Sequence, residues 1–149
     1  MTEKFVLVFL GGANTGIFGA GVGKGILDRG LHDRIHAIHG GSCGGFNATY
    51  LVAKQSEFGP MVYVEGLTTE FIYIRNIPFL IYSSILRRPM NSGHKIINVD
   101  RAIDLVKNSQ RKLDIDSVLR SQIPVYITVW NMDKRVSEFI DIRYSKDPF

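Results

Sequence analysis

One serine of this chain stands in a setting that favours nucleophilic chemistry. Ser42 lies among four glycines in the stretch HAIHGGSCGGFNA, and residues 40–44 fit the pattern G-x-S-x-G. That pattern places a serine at a sharp turn from strand to helix, which strains its backbone and exposes its hydroxyl. The N–H groups that begin the following helix favour negative charge beside it. Ser42 is therefore the predicted nucleophile, and its elbow comprises Gly40, Gly41, Cys43 and Gly44.

A second glycine-rich loop, GGANTG at residues 11–16, follows an apolar run and precedes a helix pattern. Acyl transfer needs N–H donors aimed at the oxygen that becomes negative, and a loop of small residues at a strand end supplies them. Nucleotide binding is the weaker alternative, because Ala13 breaks the dinucleotide pattern and Gly25 stands where a phosphate loop requires serine or threonine. We therefore expect an oxyanion hole at Gly11, Gly12 and Ala13, within a loop that ends at Gly16.

The hydrophobic pattern predicts alternating strands and helices, an order typical of an α/β fold with a parallel sheet. The predicted strands cover residues 5–10, 34–40, 124–131 and 135–144, and the predicted helices cover residues 17–30, 43–55, 98–109 and 114–122. The run FVLVFL at the first strand predicts a strand that is buried on both faces. The first helix is expected to end near Gly30 and to carry its apolar face at Ile17, Val22, Ile26 and Leu27.

The second half of the chain has a less regular pattern. Residues 56–90 predict pieces of helix with breaks at Gly59-Pro60, Pro78 and Pro89. The helix at residues 98–109 is amphipathic, with Val99, Ile103 and Val106 on one face. The tripeptide MDK before the last strand predicts a hairpin turn.

Taken together, the motifs GGANTGIFGAGVGKGIL and GGSCGGFNA, about 25 residues apart and in this order, resemble the patatin-like phospholipase family. The resemblance is strong over residues 5–55 and loose over residues 95–143, where PVYITVWNMDKRVSEFID is similar to a later hairpin of the family. It implies that Ser42 is the nucleophile and that Gly40 and Gly44 are the elbow glycines. The matching oxyanion loop is Gly11, Gly12 and Ala13.

The resemblance further implies a serine lipid acyl hydrolase without a cofactor, in one patatin-like domain over residues 1–149. The implied fold is a three-layer α/β/α arrangement with a mainly parallel central sheet. The implied partner is a lipid or acyl-ester substrate, met in solution or at a membrane surface. Because the family's domain extends further, we expect this one to be incomplete at its C-terminus.

The sequence departs from the family pattern at three points. Ala13 replaces a glycine, a small change if its φ is negative, and Thr15 replaces a basic residue that steadies the loop. The family's base is an aspartate in an Asp-Gly motif, and no Asp-Gly occurs in this chain. A serine without an adjacent base is a poor nucleophile. The alternative is therefore a catalytically incomplete fragment or a non-catalytic module that binds lipid or a partner, and the chain alone is expected to be inactive.

Other sources of a base or nucleophile are weaker. His94 is the only histidine after Ser42, and a serine–acid–histidine triad would need Glu57, Glu65 or Glu70 between them. Cys43 is a second candidate nucleophile, but a small residue filling the elbow is the favoured interpretation. His36 and His39 are expected to pack in or beside the second strand rather than to bind a metal.

The amino-acid composition limits which other kinds of function are expected. The net charge is +4, and the basic residues form no long block, so nucleic-acid binding is not expected. With one cysteine the chain cannot form an internal disulfide, and a reducing, cytoplasmic compartment is the default. No signal peptide or transmembrane segment is predicted.

An aromatic stretch in the middle of the chain has two interpretations. The first is a core or cap helix pair. The second is a surface that docks peripherally on lipid, with an apolar face and a basic rim. The residues concerned are Phe71, Ile72, Tyr73, Ile74, Arg75, Phe79, Leu80, Ile81, Tyr82, Arg87 and Arg88.

Overall fold

The structure is a computed structural model that describes residues 3–66, 71, 73, 76–85 and 97–145. Within these residues the strands are β1 (Phe5–Phe9), β2 (Ile35–Gly41), β3 (Val125–Asn131) and β4 (Val136–Asp141). They form one sheet, in which they lie in the order β1, β2, β3, β4. The first three strands run parallel, whereas β3 and β4 form an antiparallel hairpin. The fold is therefore α/β with a mixed, mostly parallel sheet, and the predicted hairpin is confirmed.

Helices connect and cover the strands. The helices of the described ranges are α1 (Gly16–Asp28), α2 (Cys43–Val52), α3 (Phe58–Met61), α4 (Ile77–Ile85), α5 (Val99–Asn108) and α6 (Ile115–Leu119). Short 3-10 turns lie at Ala13–Thr15, His32–Arg34 and Ile142–Tyr144, and a π-helical turn lies at Val62–Gly66. The four helices predicted at residues 17–30, 43–55, 98–109 and 114–122 are confirmed as α1, α2, α5 and α6, each shorter than its predicted range. None of the helices in the part of the chain described is both long and apolar enough to cross a bilayer.

Local signals explain where the helices begin and end. The Asn98 side chain accepts a hydrogen bond from the N–H of Arg101 at the start of α5, and Asp114 caps α6 in the same way. Gly30 adopts a φ of 63° just after α1, and the Leu31 N–H donates to the Ile26 carbonyl at 3.0 Å. This bond is the Schellman closure that glycine favours, so the predicted stop near Gly30 is confirmed.

Helix α2 occupies the centre of the molecule. It packs against β1, β2 and β3 on one side and against α1, α3 and α6 elsewhere. All of its residues except Phe46 are buried. A helix that is apolar all round is expected to be buried on every side. The main core therefore forms where α2 crosses the sheet, around Ile38, Leu51 and Val125, which are fully enclosed.

The prediction that β1 is buried on both faces is wrong. Phe9 is buried, but Val6 and Val8 are 50% and 64% exposed. Alternate residues of a strand point to opposite faces, and the helices described pack against the face that carries Phe9. Trp130 and Phe139 are exposed as well, so this sheet presents apolar side chains to solvent.

Helices α1 and α5 bury or half-bury most of the predicted apolar faces, including Ile26 and Val106, but each exposes one predicted residue. In α1 the buried residues are Gly16, Ala20, Gly23 and Ile26, whereas Val22 is exposed. Small residues line this face because α1 lies close to α2 and α3. In α5 the buried residues are Ala102 and Val106, whereas the predicted Val99 is largely exposed.

The break expected at Gly59-Pro60 is wrong, whereas the break expected at Pro78 coincides with the start of a helix. Pro60 lies within α3, and Pro78 is the second residue of α4. Proline is tolerated in the first turn of a helix, because the N–H groups there have no partner within the helix. Pro89 lies outside the described residues.

Candidate active site

The sheet register brings the two glycine-rich motifs together. Strands β1 and β2 are parallel neighbours, and Phe9 near the end of one pairs with Gly40 near the end of the other. The segments that follow these strands therefore leave the same edge of the sheet. A Cβ atom placed on Gly11 would lie 3.2 Å from the Ser42 Cβ. The predicted oxyanion loop (Gly11–Gly16) is thus in contact with the predicted elbow (Gly40–Gly44).

Ser42 has the strained backbone that the elbow pattern predicts. Its φ is 52° and its ψ is −126°, a combination that non-glycine residues rarely adopt. It is the residue that precedes α2, and its hydroxyl forms no capping bond to that helix. The side chain is exposed, although the residues after it are buried. The Ser42 hydroxyl is therefore presented at the sheet edge, beside the N-terminus of a buried helix.

Steric contacts account for two of the elbow glycines. A Cβ on Gly40 would lie 2.7 Å from the Gly44 carbonyl oxygen, and a Cβ on Gly44 would collide with the Phe9 carbonyl. Strand and helix thus approach too closely for any side chain there. A Cβ placed on Gly41 would meet no atom within 4 Å, so there is room for a side chain at this position. The G-x-S-x-G pattern does not include Gly45, but a Cβ placed on that residue would lie 3.0 Å from the Ile127 side chain.

The oxyanion loop is a compact turn. The Thr15 hydroxyl donates to the Gly12 carbonyl at 2.8 Å, and the Thr15 N–H donates to the same oxygen at 3.0 Å. A threonine thus closes the loop at the position where the patatin-like pattern has a cation. Ala13 has a φ of 48°, so the condition under which the glycine-to-alanine change would be small is not met. The left-handed conformation costs a Cβ-bearing residue about 1 kcal/mol.

Replacing Ala13 with glycine should therefore raise the free energy of unfolding by about 0.5–1 kcal/mol. The matched control is Ala53→Gly, at a position whose φ of −72° strains no side chain. That change should lower the free energy by about 0.5–1 kcal/mol, since glycine only adds freedom to the unfolded chain. Urea unfolding of both variants measures the difference, and two effects of the same sign would contradict the assignment of strain to Ala13.

A cavity of about 390 Å³ opens beside Ser42. Its lining is mostly aliphatic and aromatic, with Asn47, Thr128 and tyrosine hydroxyls as polar groups besides Ser42. The lining residues are Ala13, Ser42, Cys43, Phe46, Asn47, Tyr50, Gly59, Val62, Tyr63, Phe71, Ile97, Val99, Ala102, Val106, Ile127 and Thr128. Pockets of this size and character bind small apolar ligands or chains.

None of the lining residues that the structure describes carries an imidazole or a carboxylate. Glu65 instead pairs with Arg111 at the surface, and this hydrogen-bonded guanidinium lowers the pKa of the carboxyl. His39 stacks on Tyr126 with ring centroids 4.9 Å apart. His94 and Glu70, which a triad could have used, lie outside the described residues. The described lining of the cavity therefore contains the serine predicted as the nucleophile but no histidine or acidic residue to act as its base.

A buried polar network ties the oxyanion loop to the elbow helix. The Asn47 amide donates to the Gly16 carbonyl at 2.8 Å, and the Tyr63 hydroxyl donates to Asn47 Oδ1 at 3.1 Å. The same hydroxyl lies 3.3 Å from the Cys43 carbonyl. Burial, with a smaller contribution from the neighbouring Cys43, raises the pKa of Tyr63 well above its usual range. Tyr63 therefore stays protonated and acts as a donor at physiological pH.

Sequence reasoning missed Asn47 and Tyr63, since neither belongs to a motif. The available signal was an asparagine within a helix that is otherwise apolar, because such a residue needs hydrogen-bond partners when buried. Cys43 is buried as a free thiol against the Leu10 carbonyl, which agrees with its expected role as a small filler of the elbow. No cluster of three or more potential metal ligands occurs within the described ranges.

No family model, curated protein or solved structure matches this chain. The chemical interpretation of the site therefore depends on its own geometry. That geometry is a strained, exposed serine at a strand-to-helix turn, a small-residue loop against it, and an apolar cavity alongside.

Proposed function

We propose that this chain is a serine lipid acyl hydrolase of the patatin-like type, whose three-layer α/β/α fold would place further helices on the sheet face that exposes Val6 and Val8. The observation that carries the proposal is the backbone of Ser42, held at a φ of 52° and a ψ of −126° at the mouth of an apolar cavity. Strain of this kind persists where the surrounding structure enforces it, and it is concentrated at functional sites. The close packing of Gly40 and Gly44 enforces it here.

In the proposed reaction, Ser42 Oγ attacks the carbonyl carbon of an ester and gives its proton to a base. The N–H of Cys43 and those of the Gly12-Ala13 segment hold the negative oxygen of the tetrahedral intermediate. The bond to the alcohol then breaks, and the alcohol takes up the proton from the base. A water molecule next gives a proton to the same base and attacks the acyl carbon, the bond to Ser42 Oγ breaks, and Ser42 takes that proton as the free carboxylic acid leaves. The base proposed by resemblance is an aspartate, which the described lining of the cavity does not contain.

Two features support a lipid substrate. The cavity wall beside Ser42 is apolar and carries no charged residue among those described, which favours a hydrocarbon chain over a charged group. Helix α4 exposes Ile77, Ile81 and Ile85 at four-residue intervals, and such a stripe suits peripheral contact with a lipid surface. Phe71 is buried and lines the cavity, whereas Ile72, Ile74, Arg75, Arg87 and Arg88 lie outside the described residues.

Hydrolysis of p-nitrophenyl esters tests the proposal. A chain that includes the proposed aspartate should release p-nitrophenol, and Ser42→Ala in that chain should abolish the release. The matched control is Ser137→Ala, an exposed serine on β4 far along the chain from the elbow, which should keep full activity. Release that persists in Ser42→Ala would rule out Ser42 as the nucleophile.

The second candidate function is an acyl-binding module without turnover. It is favoured by the lack of any acidic or imidazole side chain in the described cavity lining. On this alternative a fluorescent fatty acid binds equally well to the wild-type chain and to Ser42→Ala, and no p-nitrophenol is released from either. Binding with Ser42-dependent release would instead support the hydrolase.

A further inference from the structure

The direction of the cavity follows from the helix that lines it. Cys43, Phe46, Asn47 and Tyr50 are spaced three and four residues apart on α2, so they share one side of the helix. Tyr50 lies eight positions after Ser42, which corresponds to about 12 Å along a helix. Ser42 is exposed, whereas Tyr50 is 2% exposed. The cavity therefore runs from the surface at Ser42 into the core at Tyr50.

Helix α5 contributes two buried residues to the lining of this cavity. Ala102 and Val106 are one helical turn apart, both line the cavity, and both are buried. Val106 belongs to the same buried cluster as Tyr50, whereas Ala102 packs with Cys43. The Tyr50 hydroxyl donates to the Arg111 carbonyl at 2.8 Å, which holds the ring in place. Burial raises the pKa of Tyr50 to about 12, so this donor keeps its proton. These three side chains form the wall of the buried part of the cavity.

We propose that Tyr50, Ala102 and Val106 set the length of the acyl chain that the cavity accepts. This inference rests on the proposed function, because it treats the cavity as the acyl site of Ser42. A methylene group takes up about as much space as a water molecule, roughly 30 Å³. A cavity of about 390 Å³ then holds on the order of ten methylene groups. The preferred acyl group is accordingly of medium length.

Two substitutions test this wall in opposite directions. In a chain that includes the proposed base, Ala102→Leu narrows the cavity and should lower the ratio of kcat/KM for octanoate to that for butyrate by about tenfold. Val106→Ala opens the inner end and should raise the ratio for palmitate to octanoate several-fold. The matched control is Val118→Ala, which removes the same atoms from an equally buried valine that does not line the cavity. Its ratios should equal those of the wild type.

A ratio of two substrates is insensitive to the fraction of chain that folds, so partial unfolding does not imitate the effect. If Ala102→Leu fails to fold, Val106→Ala decides the outcome alone. Ser42-dependent hydrolysis with unchanged ratios in the folded cavity variants would overturn the inference.

Binding measurements separate this inference from the proposed reaction. In the Ser42→Ala background, fluorescent fatty acids of graded length should bind with a cut-off that Val106→Ala moves to longer chains. A shifted cut-off without any ester hydrolysis would support the wall while the hydrolase proposal fails. If neither cavity variant moves the cut-off, the inference that these residues limit the chain length is overturned, whether or not the chain hydrolyses esters.

Discussion

Replacing Gly44 with alanine should lower the free energy of unfolding by about 3 kcal/mol, or prevent folding. The added methyl would collide with the Phe9 carbonyl and lie 3.0 Å from the Leu10 carbonyl oxygen. Both contacts are backbone atoms of the strand end, which cannot rotate away as a flexible side chain does. Helix α2 would have to move away from β1, and the core that α2 forms with the sheet would open with it.

Gly41→Ala is the matched control within the same elbow. No atom lies within 4 Å of its Cβ position, and its φ lies outside the range that only glycine prefers. The change should be neutral or stabilise the chain by up to about 1 kcal/mol, because alanine restricts the unfolded state. Urea unfolding midpoints measure both variants, and equal midpoints would show that the elbow tolerates a side chain at either glycine.

Replacing Asn47 with aspartate should destabilise the chain by about 3 kcal/mol at neutral pH, and the loss should shrink as the pH falls. The Asn47 amide donates to the Gly16 carbonyl, and this donor is lost when a carboxylate takes its place. The carboxylate would be almost fully buried and would face a carbonyl oxygen. A carboxylate oxygen could still accept the hydrogen bond from the Tyr63 hydroxyl, so only one of the two hydrogen bonds of Asn47 would be retained.

The sign of the pH dependence follows from where the new carboxyl is charged. Its pKa is near 3.9 in the unfolded chain and is raised by burial in the folded chain. Between these two values the folded state binds more protons, so stability decreases as the pH rises through that window. At low pH the protonated carboxyl regains an O–H donor for the Gly16 carbonyl. Thermal unfolding between about pH 4.5 and 7.5 measures the trend.

Asn47→Ala provides the comparison, since it removes both bonds and adds no titrating group. Its loss of about 2 kcal/mol relative to wild type should not change across the same pH range. The wild type itself loses stability in acid, because Asp141 and Glu138 have pKa values lowered by hydrogen bonds from Arg143 and Lys134 respectively. Each variant is therefore compared with the wild type at the same pH. Parallel curves for the aspartate and alanine variants would contradict the buried network.

Several features could be predicted from the sequence because their causes are local. The positions of Gly40 and Gly44 follow from a strand-to-helix turn that leaves no room for Cβ atoms. The stop of α1 at Gly30 and the caps at Asn98 and Asp114 involve residues within a few positions of each other. Hydrophobic runs and turn residues likewise predicted the four strands and the hairpin.

The sequence by itself thus determined the order of the elements and the setting of Ser42. Only the tertiary structure decided which faces are buried, because that depends on what packs against each element. It exposed Val6 and Val22, and it enclosed Ala102. It also brought Asn47 to Tyr63 and lined part of the cavity with a helix some sixty positions beyond the elbow. Contacts between residues so far apart leave no periodic mark in the chain, since each partner alone looks like an ordinary polar or small residue.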